Sequence, residues 1–388
     1  MSYKAGSIIF FAGDKDERIF ILQTGDVVLL AVDIVTGLEV KENVKKGEFF
    51  GVKNSLVKAP RTDTARAVTD CQVVMLTVQE FEKSFSGNKD VMLKMMTNFS
   101  RTLRSLHYSF ECEKILHDIP ELVHKDAIQQ LLESARVKAV SEEEKNLYTR
   151  PTGHVADETE TRALKQFSLP IFDRFTKKYT SGEIILSEFT KAKSFYFVKS
   201  GEIFIEKLIN GSMKRFGVLR PGDIFGEMEL LEESTRQTTA VAKGDVSCLK
   251  FNRENFNAVI VNNAAIVMNM LRQICKRVFE QRRDLEILCI KDLGARLADI
   301  FLVFVERQNA VGADEDDMKR TINVTLEDIA QVACLSVNDA RDELNKYVSR
   351  NKIAMYDDHI VIQNIMDMKR TVDSYHSNKE DAEKKDAK

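Results

Sequence analysis

The chain carries one segment twice, and this internal repeat constrains its fold more than any other feature. The motif Tyr3–Ile9 returns 176 residues later as Tyr179–Ile185, with Tyr, Gly and two Ile in the same places. The motif Gly47–Gly51 returns 175 residues later as Gly222–Gly226. An offset that stays nearly constant over two separated motifs predicts two tandem copies of one domain.

Each copy has the pattern of a small antiparallel β-structure. Short runs rich in Ile, Val and Phe are separated by turns that contain glycine, and such runs predict a sandwich or barrel, here a jelly-roll-like β-roll. Gly25, Gly47, Gly201 and Gly222 lie at turns, where a positive φ favours glycine. Because a helical segment follows each copy, the predicted fold class is α+β.

The helical segments carry apolar residues at heptad spacing. From Met92 to Phe110, and again from Val267 to Leu288, the apolar positions step by four and three residues, with Gln281 the polar member of the second set. A strict 3.5-residue repeat is narrower than the apolar face of a helix in a globular domain. The second segment therefore predicts a long helix that forms a parallel homodimer. The alternative is a helix that packs on its own barrel.

Composition excludes several classes of protein. The chain has 388 residues and a net charge of −3, so no chain-wide basic field indicates binding to nucleic acid or membranes. No apolar run approaches the ~18 residues of a membrane span. The six cysteines lack metal-ligand spacing, and the histidines fall in no catalytic motif. We expect a soluble, cytoplasmic, non-enzymatic protein without a metal.

The sequence from Phe225 to Ala240 contains the groups that a cyclic phosphate diester needs. Gly226 permits a close approach to backbone N–H groups, and Met228 begins a predicted helical turn whose N-terminus attracts an anion. Arg236 supplies a permanent forked cation. Glu227 supplies an acceptor for a ribose hydroxyl.

This stretch resembles the phosphate-binding cassette of cyclic-nucleotide-binding domains. The resemblance implies that Gly226 and Arg236 hold the phosphate, and that Glu227 holds the ribose 2′-hydroxyl. Gln237 follows Arg236, where Thr favours cGMP and Ala favours cAMP, so the base stays open. The alternative is a Glu and an Arg that pair only to brace a loop.

The first copy departs from the cassette pattern. Gly51 and Arg61 are present, but Val52 stands in the place of the ribose-binding Glu. A buried hydroxyl without its acceptor costs about 1–3 kcal/mol. We therefore predict one cyclic nucleotide per chain, bound as an allosteric ligand in the second copy. The first copy serves in packing or dimerisation, or binds another anion through Arg61.

Beyond the heptads, the sequence predicts two short helices and a hairpin. Thr325 and Ser336 are N-cap residues, and residues 353–362 form the hairpin. This order resembles the winged helix–turn–helix of the catabolite-activator/FNR superfamily of transcription regulators. The resemblance implies DNA binding by Thr325, Ser336, Val337, Asn338, Arg341 and Asp342.

The second of these helices departs from that family, in which Arg and Glu read bases. Between Ser336 and Tyr347 the net charge is −1, which opposes phosphate binding. The alternative function is therefore a regulatory protein that acts on a protein partner, in the manner of kinase regulatory subunits. The predicted boundaries are 1–110 for the degenerate first copy, 111–163 for a helical and polar linker, 164–290 for the second copy, 291–369 for the winged helix–turn–helix and 370–388 for a disordered tail.

Overall fold

A computed structural model describes residues 1–85, 89–118, 165, 167–168, 170–209, 212–255, 264–308 and 318–386. It contains antiparallel β-structure in each copy, long helices between the copies, and a C-terminal helical domain with a small sheet. The predicted α+β class is confirmed. None of the described helices is long and apolar enough to cross a membrane.

The first copy consists of two four-stranded sheets that face each other. One sheet contains β1 (Ser2–Tyr3), β8 (Cys71–Leu76), β3 (Ile19–Thr24) and β6 (Phe49–Phe50), in that order; the other contains β2 (Ile8–Phe10), β7 (Thr64–Ala67), β4 (Val27–Val32) and β5 (Glu39–Val44). The rings of Phe10, Phe20 and Phe50 pack between the sheets. The helices of this copy are α1 (Val52–Val57), α2 (Val78–Phe85) and α3 (Lys89–Asp118).

The second copy joins its strands into one six-stranded sheet. The strands are β9 (Thr176–Tyr179), β10 (Ile184–Leu186), β11 (Ser194–Ile209), β12 (Ser212–Leu219), β13 (Ile224–Phe225) and β14 (Thr239–Asn252). Gly201 interrupts the register of the two longest strands, and a Cβ there would lie 2.4 Å from the Asp245 carbonyl oxygen. Gly25 has the same close approach to the Asp70 carbonyl in the first copy. Only glycine fits these two turns, as the repeat predicts.

The two copies pack against each other through their long helices. Helix α4 (Glu227–Glu232) of the second copy contacts α3, and helix α5 (Ala264–Leu288) contacts both α3 and α1. Apolar side chains of both copies form one core; its members on α3 and α5 include Met92, Met96, Leu103, Val267, Leu271, Ile274 and Val278. The short helix that follows the Gly51 or Gly226 turn of each copy, which we call the cassette helix, therefore packs on the long helix of the other copy.

This packing favours the alternative interpretation of the α5 heptads, a helix that packs within its own chain, while the homodimer stays a prediction. Leu271, in the middle of the α5 heptads, is 0% exposed within a single chain. The heptad face at Leu271 is therefore covered within one chain, in the core to which α3 contributes. A heptad pattern fixes which face of a helix is buried but not which molecule covers it, and a helix on the same chain has the advantage of a high effective concentration.

The C-terminal domain begins with α6 (Leu293–Arg307). Its later elements are β15 (Arg320–Ile322), α7 (Leu326–Ala333), α8 (Val337–Ser349), β16 (Ile353–Met355), β17 (Ile360–Ile362) and α9 (Ile365–Asp386). The strands form one sheet in the order β15-β17-β16. The order of two short helices followed by a hairpin is thus present, as the sequence predicts.

Two predicted boundaries change. The disordered tail from residue 370 is instead helical to Asp386, because Met368 and Val372 anchor α9 in the domain core against α6. The boundary at residue 110 falls inside α3, which continues to Asp118. The remainder of the predicted linker, 119–163, lies outside the described residues.

Candidate functional site

The candidate cassette of the second copy begins where β13 ends. Gly226 caps α4 with a φ of 73°, a left-handed conformation. A Cβ on Gly226 would lie 2.8 Å from Nη1 of Arg236. The backbone of this glycine and the guanidinium are therefore in direct contact, and a side chain at residue 226 would push them apart.

Arg236 is the cation at the centre of the cassette, and its side chain is 4% exposed. Its Nη1 donates to the Gly226 carbonyl at 2.6 Å and to Oε2 of Glu229 at 3.1 Å, and its Nη2 donates to the Ser194 carbonyl. The sequence predicts Arg236 but does not single out Glu229. A buried carboxylate thus already neutralises the cation that was assigned to phosphate binding.

Glu227 is buried between α4 and α5, with 1% of its surface exposed. Its Oε1 pairs with the Arg277 guanidinium of α5. Its Oε2 has no hydrogen-bond partner among the described residues. A buried acceptor without a donor is costly, so this oxygen fits the hydroxyl of a bound ligand.

Met228 is buried and Gln237 is exposed. The Met228 side chain is buried in the core shared by the two copies, so it packs rather than lining an open surface. Gln237 is exposed, and its amide donates to the Thr235 carbonyl. Of the five predicted residues, the structure brings Gly226, Glu227 and Arg236 together around the start of α4.

Helix α3 of the first copy forms a wall beside this cassette. Nη1 of Arg104 lies 3.2 Å from Oε2 of Glu232, and its Nη2 donates to the Ser234 hydroxyl at 2.7 Å. Seven residues further along α3, Glu111 accepts from Lys207 at 2.6 Å. The two copies thus meet through polar contacts at the cassette as well as through the apolar core. No local sequence pattern could reveal these contacts, because the partners are far apart in the chain.

His107 lies on the same wall, between Arg104 and Glu111. Burial and the positive charges of Arg277 and Lys207 lower its pKa from 6.5 to about 4. The imidazole is therefore neutral at pH 7. It is an uncharged donor and acceptor beside the group that pairs with Glu227.

The first cassette has the same backbone frame with different side chains. Nη1 of Arg61 donates to the Gly51 carbonyl and to the Ser55 hydroxyl, and Nη2 donates to the Arg18 carbonyl. Burial lowers the pKa of Arg61. Val52 is buried in the core shared by the two copies. That Val52 prevents nucleotide binding stays a prediction.

The predicted DNA-binding residues divide into caps and an exposed face. Thr325 and Asp328 cap α7 reciprocally, each accepting from the other's backbone N–H. The Ser336 hydroxyl accepts from the Asp339 N–H and caps α8. The exposed residues on the first turns of α8 include Val337, Asn338, Arg341 and Asp342. These four side chains are accessible to a macromolecule.

The described residues offer no metal-ligand cluster, and α8 has few free cations. Among the residues that the structure describes, no group of three or more His, Cys, Asp or Glu could hold a metal ion. On α8, Lys346 pairs with Glu343. Its positive charge is thus partly neutralised, which leaves the helix without a strong basic face.

Comparison with protein-family models gives two matches. Residues 1–88 and 176–263 match the model described as cyclic nucleotide-binding domain. The matched segments are the two copies recognised from the internal repeat.

Individual relatives extend over different parts of the chain. A cyclic AMP receptor protein of Thermus thermophilus is 24% identical over 197 residues, which are 48% of this chain and 90% of the relative. A cAMP-dependent protein kinase regulatory subunit of Aspergillus fumigatus is 34% identical over 84 residues, 21% of this chain but 20% of the relative. A solved CRP/FNR-family transcriptional regulator, also from Thermus thermophilus, has a TM-score of 0.36 at 19% identity, with 51% of this chain and 98% of that chain covered.

Proposed function

We propose that this chain, which contains two cyclic nucleotide-binding domains, is a cyclic-nucleotide-responsive DNA-binding transcription regulator. The nucleotide binds in the second copy. The observation that carries the proposal is the buried Oε2 of Glu227, which lacks a partner among the described residues and lies on the helix that Gly226 begins. A ribose hydroxyl would donate to this oxygen.

The bound ligand would bridge two parts of the cassette. Its cyclic phosphate would lie against the Gly226 backbone and Arg236, where a forked guanidinium matches phosphate oxygens. Its ribose would lie against Glu227. Because Glu227 also pairs with Arg277, ribose binding would act directly on α5.

A second arginine connects α5 to the C-terminal domain. Arg296 is buried, and it donates to the carbonyls of Leu288, Ile290 and Ala333. The first two carbonyls lie at the end of α5, and the third ends α7. A shift of α5 would therefore reach the helix–turn–helix through one side chain. The ligand would favour the DNA-binding state only if it binds that state more tightly.

The nucleotide part of the proposal is tested by calorimetric titration of the full chain with cAMP and with cGMP. We expect one site per chain. Glu227→Ala should weaken binding about 10- to 100-fold, the value of a buried hydrogen bond to a charged group. Glu233→Gln, an exposed change at the end of the same helix, is the control. Two equivalent sites, or unchanged affinity in Glu227→Ala, would contradict the proposal.

A protein partner is the second candidate. The acidic charge of the exposed α8 face supports it, since Asp339 and Asp342 lie beside the single cation Arg341 on its first turns. A DNA-binding chain should elute from a DNA column at a salt concentration that falls in Arg341→Ala. If the elution of the chain changes neither with salt nor in Arg341→Ala, the protein partner is favoured.

A further inference from the structure

We infer that Glu229 is an internal competitor of the ligand's phosphate, which occupies Arg236 and sets the nucleotide affinity of the second cassette. This inference rests on the proposed function. Oε2 of Glu229 lies 3.1 Å from Nη1 of Arg236, and each of the two side chains is no more than 10% exposed. The pair is thus shielded from water, where opposite charges interact strongly.

The first copy holds its arginine without a carboxylate at the position of Glu229. At the offset of 175, Asn54 stands in the place of Glu229. Its side-chain amide donates to the Pro60 carbonyl and is not a counter-ion. Arg61 contacts the same two backbone carbonyls as Arg236 does, together with the Ser55 hydroxyl, and its nearest carboxylate is Asp16, whose Oδ2 lies 3.7 Å from Nη2. The first copy therefore takes its counter-charge from outside the cassette helix, whereas Glu229 places a carboxylate on that helix, at a shorter distance from the arginine.

The charges of the cassette imply that a bound phosphate takes the place of Glu229 beside Arg236. Arg236 is paired with Glu229, and Glu227 is paired with Arg277, so these four groups sum to zero. A cyclic phosphate diester brings one further negative charge. An unpaired buried charge is strongly unfavourable, so the phosphate can pair with Arg236 only if Glu229 leaves the guanidinium and turns towards solvent. The cost of that displacement lowers the affinity for every cyclic nucleotide.

The consequence is a cassette that responds only to a high ligand concentration. With the carboxylate on Arg236, the guanidinium is satisfied and the site stays closed to weak anions. A cyclic nucleotide can displace Glu229 from Arg236 because its ribose also binds Glu227. Glu229 is therefore an affinity-setting residue and not a ligand contact.

The test is titration calorimetry of the full chain with cAMP and cGMP in four forms. Glu229→Gln keeps the size of the side chain and removes its charge, whereas Glu229→Ala removes both. Glu233→Gln, which removes an exposed charge from the same helix end, is the matched control. We expect at least tenfold tighter binding in both Glu229 variants and no change in the control. Thermal melts of each form establish that it is folded.

The outcomes separate the two proposals. If the natural chain binds nucleotide and both folded Glu229 variants bind equally or more weakly, Glu229 is a brace and the inference is wrong while the proposed function stands. If no folded form binds either nucleotide, the proposed function fails and the inference falls with it. If only the Glu229 variants bind, the competitor role is supported in its strongest form.

Discussion

Nη1 of Arg104 lies 3.2 Å from Oε2 of Glu232, although the two residues belong to different copies of the repeated domain. Arg104 is on the long helix of the first copy, and Glu232 ends the cassette helix of the second. The first copy thus supports the site of the second copy within one chain. This arrangement gives a structural role to a domain whose own cassette lacks the ribose-binding acid.

Removal of this link should weaken the cassette more than the fold. Arg104→Ala leaves Glu232 partly buried without its partner, and burial already raises the pKa of that carboxyl. Because the arginine is partly exposed, we expect a loss of stability of no more than about 1 kcal/mol. Nucleotide affinity should fall several-fold, since Arg104 also holds Ser234 beside the cassette. Ser105→Ala, an exposed and uncharged neighbour on the same helix, is the control in calorimetry and urea unfolding; equal effects of the two substitutions would refute the link.

The packing of α5 inside the chain predicts how a core substitution affects the stability and the molar mass in solution. Leu271→Ala removes a fully buried side chain from the shared core, so it should destabilise the chain by about 2–5 kcal/mol. Light scattering should show the same mass before and after the substitution, because the α5 seam is covered within one chain. Val348→Ala, on the exposed side of α8, is the control and should change neither the stability nor the mass. A halving of mass in Leu271→Ala with little loss of stability would instead identify a dimer through this helix.

The sequence predicts those features that depend on local pattern. The repeat, the glycine turns and the reciprocal Thr325–Asp328 cap follow from short motifs, and the structure contains all three. The face that α5 buries also follows from its heptads. What covers that face does not, because the same apolar stripe suits a second chain or another helix of the same chain.

The remaining features depend on contacts between distant residues or on a minority of positions. The pairs Glu227–Arg277 and Arg104–Glu232 join elements 50 or more positions apart, where no spacing rule applies. The charged tail suggests disorder by composition, yet it continues a helix whose Ile365, Met368 and Val372 pack in the domain core. Average composition conceals such an anchor because the apolar residues occupy only one face.

His107 should make the stability of the chain depend on pH. Its pKa is about 4 when folded and near 6.5 when unfolded, so the unfolded state binds more protons between these values. The contribution is complete above pH 6.5 and is lost as the pH falls towards 4. Urea unfolding at pH 7.5, 6.0 and 5.0 should show a decline that is shallower in His107→Gln. An identical decline in both proteins would show that folding does not lower the pKa of this histidine.

The exposed face of α8 gives opposite predictions for two adjacent residues. Arg341→Ala removes a cation and should weaken binding to a mixed-sequence DNA duplex. It should also lower the slope of log affinity against log salt by about one. Asp342→Asn removes an anion from the same face and should strengthen binding. Fluorescence anisotropy at several salt concentrations measures both effects. If neither substitution changes the affinity, α8 does not contact DNA.

Cys275 reports whether the two copies separate in solution. It is fully buried in the core shared by the copies, and burial raises its pKa to about 12. Cys248 has a similar pKa for the same reason but lies inside the second barrel. At pH 8 only about one in ten thousand of either thiol is ionised, so iodoacetamide should modify neither in the native chain. Leu103→Ala loosens the α3–α5 contact and should speed alkylation of Cys275 but not of Cys248, as measured by peptide mass spectrometry. Equal acceleration of both cysteines would mean that the copies part only when the whole chain unfolds.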